Sequence, residues 1–297
     1  MLNEEALALI GVAVVGLDWL VTPWTAPGAD LERDFAVVVT PDGDLAGYLM
    51  LESDPPHTLV YATGAVAIGY HGRGLGGAML DEIERRASEL ATQAPAGDPV
   101  VWHMGVLADE PLVAGLLRER GLEEVRRAWS MTITFERPPA PPAIVPGIEI
   151  RPMPEGGEVA VYQCLADAFQ DHWGEQFPSQ EQWLHRHMTG AQQFDPGLWW
   201  VAWQNRRAVG ALVAQGEAEE NRALAYVSAL GVRRAARRRG IGEALLRTSF
   251  QAFAGRGKRG AQLHVDSQSL TGATRLYERV GMIAQPRFAT WQKQLRP

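Results

Sequence analysis

Two short glycine-containing runs hold the residue types best suited to chemistry in this chain. Arg237-Arg-Arg-Gly-Ile-Gly242 follows a strand-like segment, Ala223 to Val232, and precedes an amphipathic one. A glycine loop between a strand and a helix N-terminus is a phosphate cradle. Its backbone N–H groups point outward, and the helix dipole adds partial positive charge. Gly240 and Gly242 lack Cβ, which lets a diphosphate approach the main chain. Arg233, Arg234, Arg237, Arg238 and Arg239 set five guanidinium groups beside the loop. Alone, such a run reads as a solvated face or a nucleic-acid patch; next to the two glycines, phosphate binding is the better reading. The other run, His71-Gly-Arg-Gly-Leu-Gly-Gly77, offers a second cradle with fewer cations. It also fits the dinucleotide fingerprint Gly-x-Gly-x-x-Gly. That reading needs an acidic residue about 20 positions on, closing a second parallel strand. Glu89 is available but falls in a predicted helix.

The elements around both runs recur in the same order. Before the first run stands a strand-like segment, Thr58 to Val66. After it Leu75, Met79, Ile83 and Ala87 repeat at helical spacing. After the second run, Leu246, Phe250 and Phe253 mark the matching helix face. Each half then offers another strand (Val100–Val106; Gln262–Asp266), a short helix ending in "LLRERGL" or "LYERVGM", and a β-rich tail, "AWSMTITF" or "FATWQKQL". A duplicated unit explains all of this. Between the copies lies Arg137-Pro-Pro-Ala-Pro-Pro-Ala-Ile-Val-Pro146, whose prolines cannot serve a helix interior or a central strand. The expected division is therefore 1–137, a linker 138–146, and 147–297. The second copy also has a strand at Ile148–Arg151, a helix over Glu158–Phe169 and a capping box at Ser179-Gln-Glu-Gln182. A hairpin follows, formed by Leu198–Trp203 and Ala208–Gln215 around Asn205-Arg206. The first copy starts in a helical pattern, Glu4 to Val15, so its opening strand is expected to be missing, through a shortened sequence or a misplaced start codon.

Charge divides the chain unevenly. Residues 1–145 hold 9 Arg and no Lys against 21 Asp and Glu, a net of −12; residues 146–297 hold 19 Lys and Arg against 14, a net of +5. A polyanion should prefer the second half, and the acidic first half argues against nucleic acid. No apolar run approaches the ~20 residues of a membrane-spanning helix. Glu4 and Glu5 stand where a secretory signal would be basic, so the expected location is cytoplasmic. The one cysteine, Cys164, sits in an apolar helical pattern and leaves a cysteine-built metal site without partners; no metal is expected.

The run "ALGVRRAARRRGIGEALL" resembles the pyrophosphate-binding motif of the GNAT superfamily of N-acetyltransferases, Arg/Gln-x-x-Gly-x-Gly/Ala, with Arg237, Gly240 and Gly242 in its defining places. "TGATRLYERVGM" resembles that superfamily's later motif, whose tyrosine, here Tyr277, protonates the departing thiolate. The duplicated layout is similar to that of tandem members, the mycothiol synthase-like proteins, in which the C-terminal copy is the active one. The resemblance covers 148–295 well and 1–135 more weakly. It implies an α/β chain of two tandem acyl-CoA N-acyltransferase folds, each a mixed, mostly antiparallel sheet flanked by helices. Each sheet would open between the strand before the glycine loop and the next strand.

It further implies acetyl-CoA as co-substrate and direct transfer of the acetyl group to a primary amine of a small molecule. The implied cofactor-binding set is Leu230, Val232, Arg237, Arg238, Arg239, Gly240, Ile241, Gly242, Glu243 and Ser269. The family often uses a strand glutamate as general base, but here the strand reads Ala225-Tyr-Val-Ser-Ala-Leu230. Ser228 can hold a water that relays the proton to Glu217, Glu219 or His172, and these stay open. His172 and Trp173 are candidates for the acceptor groove or for a capping role. In the first half Val66, His71, Gly72, Arg73, Gly74, Gly76 and Gly77 form a second possible cofactor site. His71 replaces Arg237 there and Leu117 replaces Tyr277, so no transfer is expected from it. The alternative function is a non-catalytic acyl-CoA-binding sensor. The expected assembly is a monomer or homodimer.

Overall fold

The alternation of short apolar strands with two longer amphipathic helices folds as the sequence predicts. The computed structural model describes residues 21, 23–25, 29–170, 177–189, 194–218, 221–268 and 272–297. The first elements are α1 (Leu31–Asp34), β1 (Phe35–Val39), β2 (Leu45–Glu52), β3 (Leu59–Val66), α2 (Leu75–Ala91), β4 (Val100–Leu107), α3 (Pro111–Glu119) and β5 (Glu123–Thr134). No helix or strand occupies 135–148. Beyond it come β6 (Glu149–Pro152), α4 (Glu158–Ala168), α5 (Gln180–Leu184), β7 (Trp200–Gln204), β8 (Arg207–Gln215) and β9 (Leu224–Val232). The chain ends with α6 (Ile241–Gly255), β10 (Gly260–Asp266), α7 (Ala273–Arg279) and β11 (Ile283–Arg296). The predicted helix over Glu4–Val15 lies outside the described residues.

The chain forms two compact units, cut elsewhere than at the proline-rich segment. One comprises Met1–Ala128 with Pro286–Pro297, the other Trp129–Gln285. Each repeat therefore gives its tail strand to the other unit. In the first unit the strand order is β1-β2-β3-β4-β11. There β11 pairs antiparallel with β4, Trp291 opposite Met104, and Ala289 and Trp291 complete the core formed by α2, β2, β3 and β4. In the second unit the order is β5-β10-β9-β8-β7-β6, and Met131 of β5 joins the core under α6. Periodicity reveals that a tail is a strand but not which edge it will find, since pairing is decided by distant side chains.

Both sheets are mixed in the same way. The pairs β3–β4 and β9–β10 are parallel, while β1–β2, β2–β3, β6–β7, β7–β8 and β8–β9 are antiparallel. β8 is buried from Ala208 to Ala214 because both faces are covered, by α6 and by α4. Among the described residues the first unit has no counterpart of β6. The hairpin turn at Asn205 and Arg206 has positive φ at both positions, as a two-residue turn matched to strand twist requires. The Ser179 capping box forms in full.

Candidate active site

The glycine loop of the second unit begins where β9 ends. A single turn, Arg234–Ala236, leads through Arg237 and Arg238 (φ +61°) to Gly240 (φ +82°), the N-cap of α6. Gly240 is required by its left-handed backbone; a Cβ there would meet nothing within 4 Å. Gly242 packs closely, since a Cβ would stand 3.1 Å from Leu276 Cδ2 of α7, which would have to shift by a few tenths of an ångström. The first unit repeats the construction residue by residue. Its turn Ile68–Tyr70 leads through His71 and Gly72 (φ +72°) to Gly74 (φ +81°), and Gly76 faces Leu116 Cδ2 at 3.2 Å.

Several of the arginines hold the loop's shape. Arg237 Nε donates to Val232 O (3.0 Å) and its Nη2 to Ala168 O (2.8 Å) at the C-terminal end of α4. His71 makes the equivalent bond in the first unit, Nε2 to Val66 O at 2.9 Å. Arg233 donates to Ala208 O (2.8 Å) and pairs with Asp167. Arg239 reaches Gln204 Oε1 (3.4 Å) and Pro146 O (3.2 Å), whereas Arg238 is exposed at the loop. Arg73 donates to Gly69 O at 3.1 Å. The Glu243 carboxylate pairs with Arg247 (2.9 Å) and Arg279 (3.7 Å), so residue 243 offers an anion its backbone N–H. Ile241 is buried beneath the loop.

From this loop a slot runs back along β9. The β9–β10 ladder holds from Leu224↔Gly260 to Tyr226↔Gln262, and beyond it both strands continue without pairing each other. β9 also carries one extra residue against β8: Val213 faces Ala229, yet Ala214 faces Val227. The extra residue is Ser228. This bulge shifts the phase of the strand, so that Ala225 and Val227, then Leu230 and Val232, face the α6 core, while Ala229 faces the α4 core. In the first unit β2–β3 keeps one register from Gly47↔Val66 to Glu52↔Tyr61, with no bulge. From Val232 to Ser228 is four residues, ~13 Å.

Tyr277 lies on α7, in the core beneath α6. Burial alone pushes its hydroxyl up to about 12, so it is a neutral donor across the physiological range. The helix ends in a Schellman motif, Met282 N to Tyr277 O (3.0 Å) and Gly281 N to Glu278 O (2.9 Å). Leu122 N to Leu117 O (3.1 Å) and Gly121 N to Arg118 O (3.0 Å) duplicate it. Leu117 thus occupies the position of Tyr277, fully buried and without a proton to give.

The proton-relay candidates separate. Ser228 Oγ donates to Val213 O at 3.2 Å, within the bulge. Glu217 is not brought to the slot: it sits beyond the far end of β9, bound by Lys258 Nζ (3.3 Å) and Arg222 Nε (3.6 Å). Glu219, His172, Trp173 and Ser269 lie outside the described residues. Sequence reasoning missed Tyr226 and His264, whose Oη and Nδ1 are 3.3 Å apart on β9 and β10. Only the strand pairing brings them together.

Cys164, in α4, is fully buried, and burial pushes its thiol up to about 11, with the Arg233 guanidinium opposing that rise. A neutral thiol is a poor nucleophile. The folded protein is expected to resist maleimide at pH 8 and to react fully once denatured; rapid native labelling, read by mass, would contradict this burial.

The sequence pattern of the Acetyltransferase (GNAT) family matches residues 160–282. A mycothiol acetyltransferase from Streptomyces scabiei is 30% identical over 248 residues, covering 81% of this chain and 73% of the relative. The chain belongs to the GNAT acetyltransferases. It is an acyltransferase of tandem-domain type, and acetyl-CoA is the co-substrate that the family generally uses. A second mycothiol acetyltransferase, from Nocardia farcinica, is 28% identical, covering 81% and 76%. A GCN5-related N-acetyltransferase from Sphaerobacter thermophilus superposes with a TM-score of 0.80 at 31% identity, covering all of this chain and 90% of that one. A tandem GNAT protein from the clavulanic acid biosynthesis pathway shares the fold at a TM-score of 0.66 and 16% identity, covering 96% and 98%. Among the described residues of this GNAT protein, no helix is long and apolar enough to cross a membrane.

Proposed function

We propose that the unit formed by Trp129–Gln285 transfers an acetyl group from acetyl-CoA to a primary amine of a small molecule, by direct attack within a ternary complex. The observation that carries this reading is the stretch of β9 that leaves its pairing with β10, bulges at Ser228 and leads to the glycine loop at the N-terminus of α6. About twelve bonds separate the diphosphate from the sulfur, the span of four extended residues or ~14 Å. With the diphosphate on the N–H groups of Gly240–Glu243, the sulfur arrives beside Ser228, at the bulge. Backbone groups of β9 near Leu230 and Val232 accompany the arm, and disrupted pairing at the bulge leaves main-chain donors for the thioester carbonyl. Tyr277 supplies the hydrogen bond to the leaving sulfur. The names of the relatives point to an acceptor of the mycothiol class.

In the first unit, the repeated loop at His71–Gly77 holds a coenzyme A diphosphate without transfer, since Leu117 stands where a donor is needed. The test is thiol release from acetyl-CoA with a panel of polyamines, aminosugars, amino-sugar conjugates and free peptide N-termini, run beside calorimetry with coenzyme A. Amine-dependent release is expected, with coenzyme A bound at two sites of which the second unit's is the tighter. A protein that binds coenzyme A and releases no thiol with any amine is a sensor, not an enzyme.

A further inference from the structure

β9 carries no carboxylate along the slot to take a proton from the attacking amine, and a different titratable group stands beside it. On β10, Ala261, Leu263 and Val265 pack into the α6 core, so Gln262, His264 and Asp266 point to the opposite face. On β9, Ala225 and Val227 face the α6 core, and Tyr226 points away from it. Tyr226 and His264 meet there edge to face, ring centroids 5.6 Å apart and Oη to Nδ1 3.3 Å. Both side chains are half-buried.

Their place along the slot is specific. Tyr226 is in the last paired rung, and His264 is two residues past its partner Gln262, on the first unpaired stretch of β10. That is the depth at which Ser228 bulges from β9 and the sulfur arrives. Tyr277 approaches from the α6 side, and His264 from the other. An acid on one face and a base on the other would serve direct transfer, the base within reach of the incoming amine and the acid within reach of the leaving sulfur.

We infer that His264 is the proton acceptor for the incoming amine, with Tyr226 as its positioning residue. This rests on the transfer reading above. In the competent tautomer, Nδ1–H donates to Tyr226 Oη, which puts the lone pair on Nε2. The amine nitrogen bonds to the thioester carbonyl carbon, the carbon–sulfur bond breaks, and the ammonium proton passes to Nε2. The sulfur departs with the electron pair of its broken bond, held by the hydrogen bond that the Tyr277 hydroxyl donates, and takes its proton from solvent. His264 gives up its proton to water, so no redox partner is needed.

The first unit shows the same frame without the group. Tyr61 occupies the rung of Tyr226, and Gly105 stands at the position of His264; a Cβ there would fall 2.0 Å from the Tyr61 hydroxyl. In the first unit the Tyr61 hydroxyl fills the place that the His264 side chain takes in the second.

The test uses the full chain, with thiol release from acetyl-CoA driven by the best amine of the panel and calorimetric affinity for acetyl-CoA measured in parallel. His264→Ala and His264→Gln are expected to lower kcat by about a hundredfold, the low end of the range for a positioned general base, with acetyl-CoA affinity within twofold of the parent. Imidazole at tens of millimolar should restore several-fold of the activity to His264→Ala and none to His264→Gln, which keeps the cavity filled. Tyr226→Phe should lose less than either. Parental kcat in either His264 variant overturns the assignment, as does a loss that comes with weakened acetyl-CoA binding and ignores imidazole. A parent protein that releases no thiol with any amine, while still binding acetyl-CoA, overturns the transfer reading first and this assignment with it.

Discussion

Replacing Tyr277 by phenylalanine is expected to lower kcat about ten- to a hundredfold while leaving acetyl-CoA affinity nearly unchanged. The ring packs in the core beneath α6 and stays in place; only the hydroxyl is lost. Burial alone shifts that hydroxyl, with no charge or hydrogen bond contributing, so its removal should leave no orphaned partner. The direction of the shift sets the size of the effect. A donor near 12 facing a thiol that ionises near 8.5 does not readily surrender its proton. Its contribution is therefore the charge-assisted hydrogen bond to the developing thiolate, about 1.5–3 kcal/mol, and the proton follows as solvent re-equilibrates. Steady-state kinetics with a saturating amine decides it. Parental kcat in Tyr277→Phe would make the residue a packing aromatic and nothing more. The same burial means that Tyr277 disfavours alkaline conditions: its stabilising protonated form is fully present below about 10, and that contribution is lost as pH rises towards 12.

Arg237→Ala is expected to weaken acetyl-CoA binding about ten- to a hundredfold, and His71→Ala to leave turnover alone. The structure changes the reason from the one the sequence suggests. The Arg237 guanidinium bridges Val232 O and Ala168 O, so it fixes the end of β9 against α4 and thereby the direction of the loop's N–H groups. Two carbonyls lose their donor in the alanine variant, and the cradle is no longer preformed. His71 bonds Val66 O in a unit that has no acid at position 117. Calorimetry with acetyl-CoA and kinetics on both variants separate the units. Equal losses of turnover would defeat the division into one catalytic and one non-catalytic copy.

The elements themselves were legible because they are written locally. The strand expected at Ala223–Val232 is Leu224–Val232, and the helix face of Leu246, Phe250 and Phe253 is buried as its spacing requires. The glycine loops were legible for the same reason: a left-handed N-cap at Gly240 admits few other residues. Four features were not. The Ser228 bulge is a mismatch between two strands, visible only when β8 is laid beside β9. Glu217 looked available, but its engagement by Lys258 joins residues that are far apart in sequence. Tyr226 and His264 are 38 positions apart and meet through a parallel pairing. The exchange of tail strands buries Trp291 in one core and Met131 in the other, contacts between residues far apart in sequence that no local pattern records.

That exchange bears on how the molecule is made. His103 and Gln292, hydrogen-bonded at 2.9 Å across β4 and β11, are 189 positions apart. A nascent chain leaving the ribosome therefore cannot finish its first-made unit until residues 286–297 have followed the whole of the second. Until then β4 keeps an open edge, which is the kind of surface that invites wrong partners. The second-made unit has all of its strands by Asp266. Order of synthesis and order of completion are thus reversed. Loss of residues 286–297, which in sequence adjoin the second unit, should strip Trp291 from the core of the first and leave the slot along β9 formed.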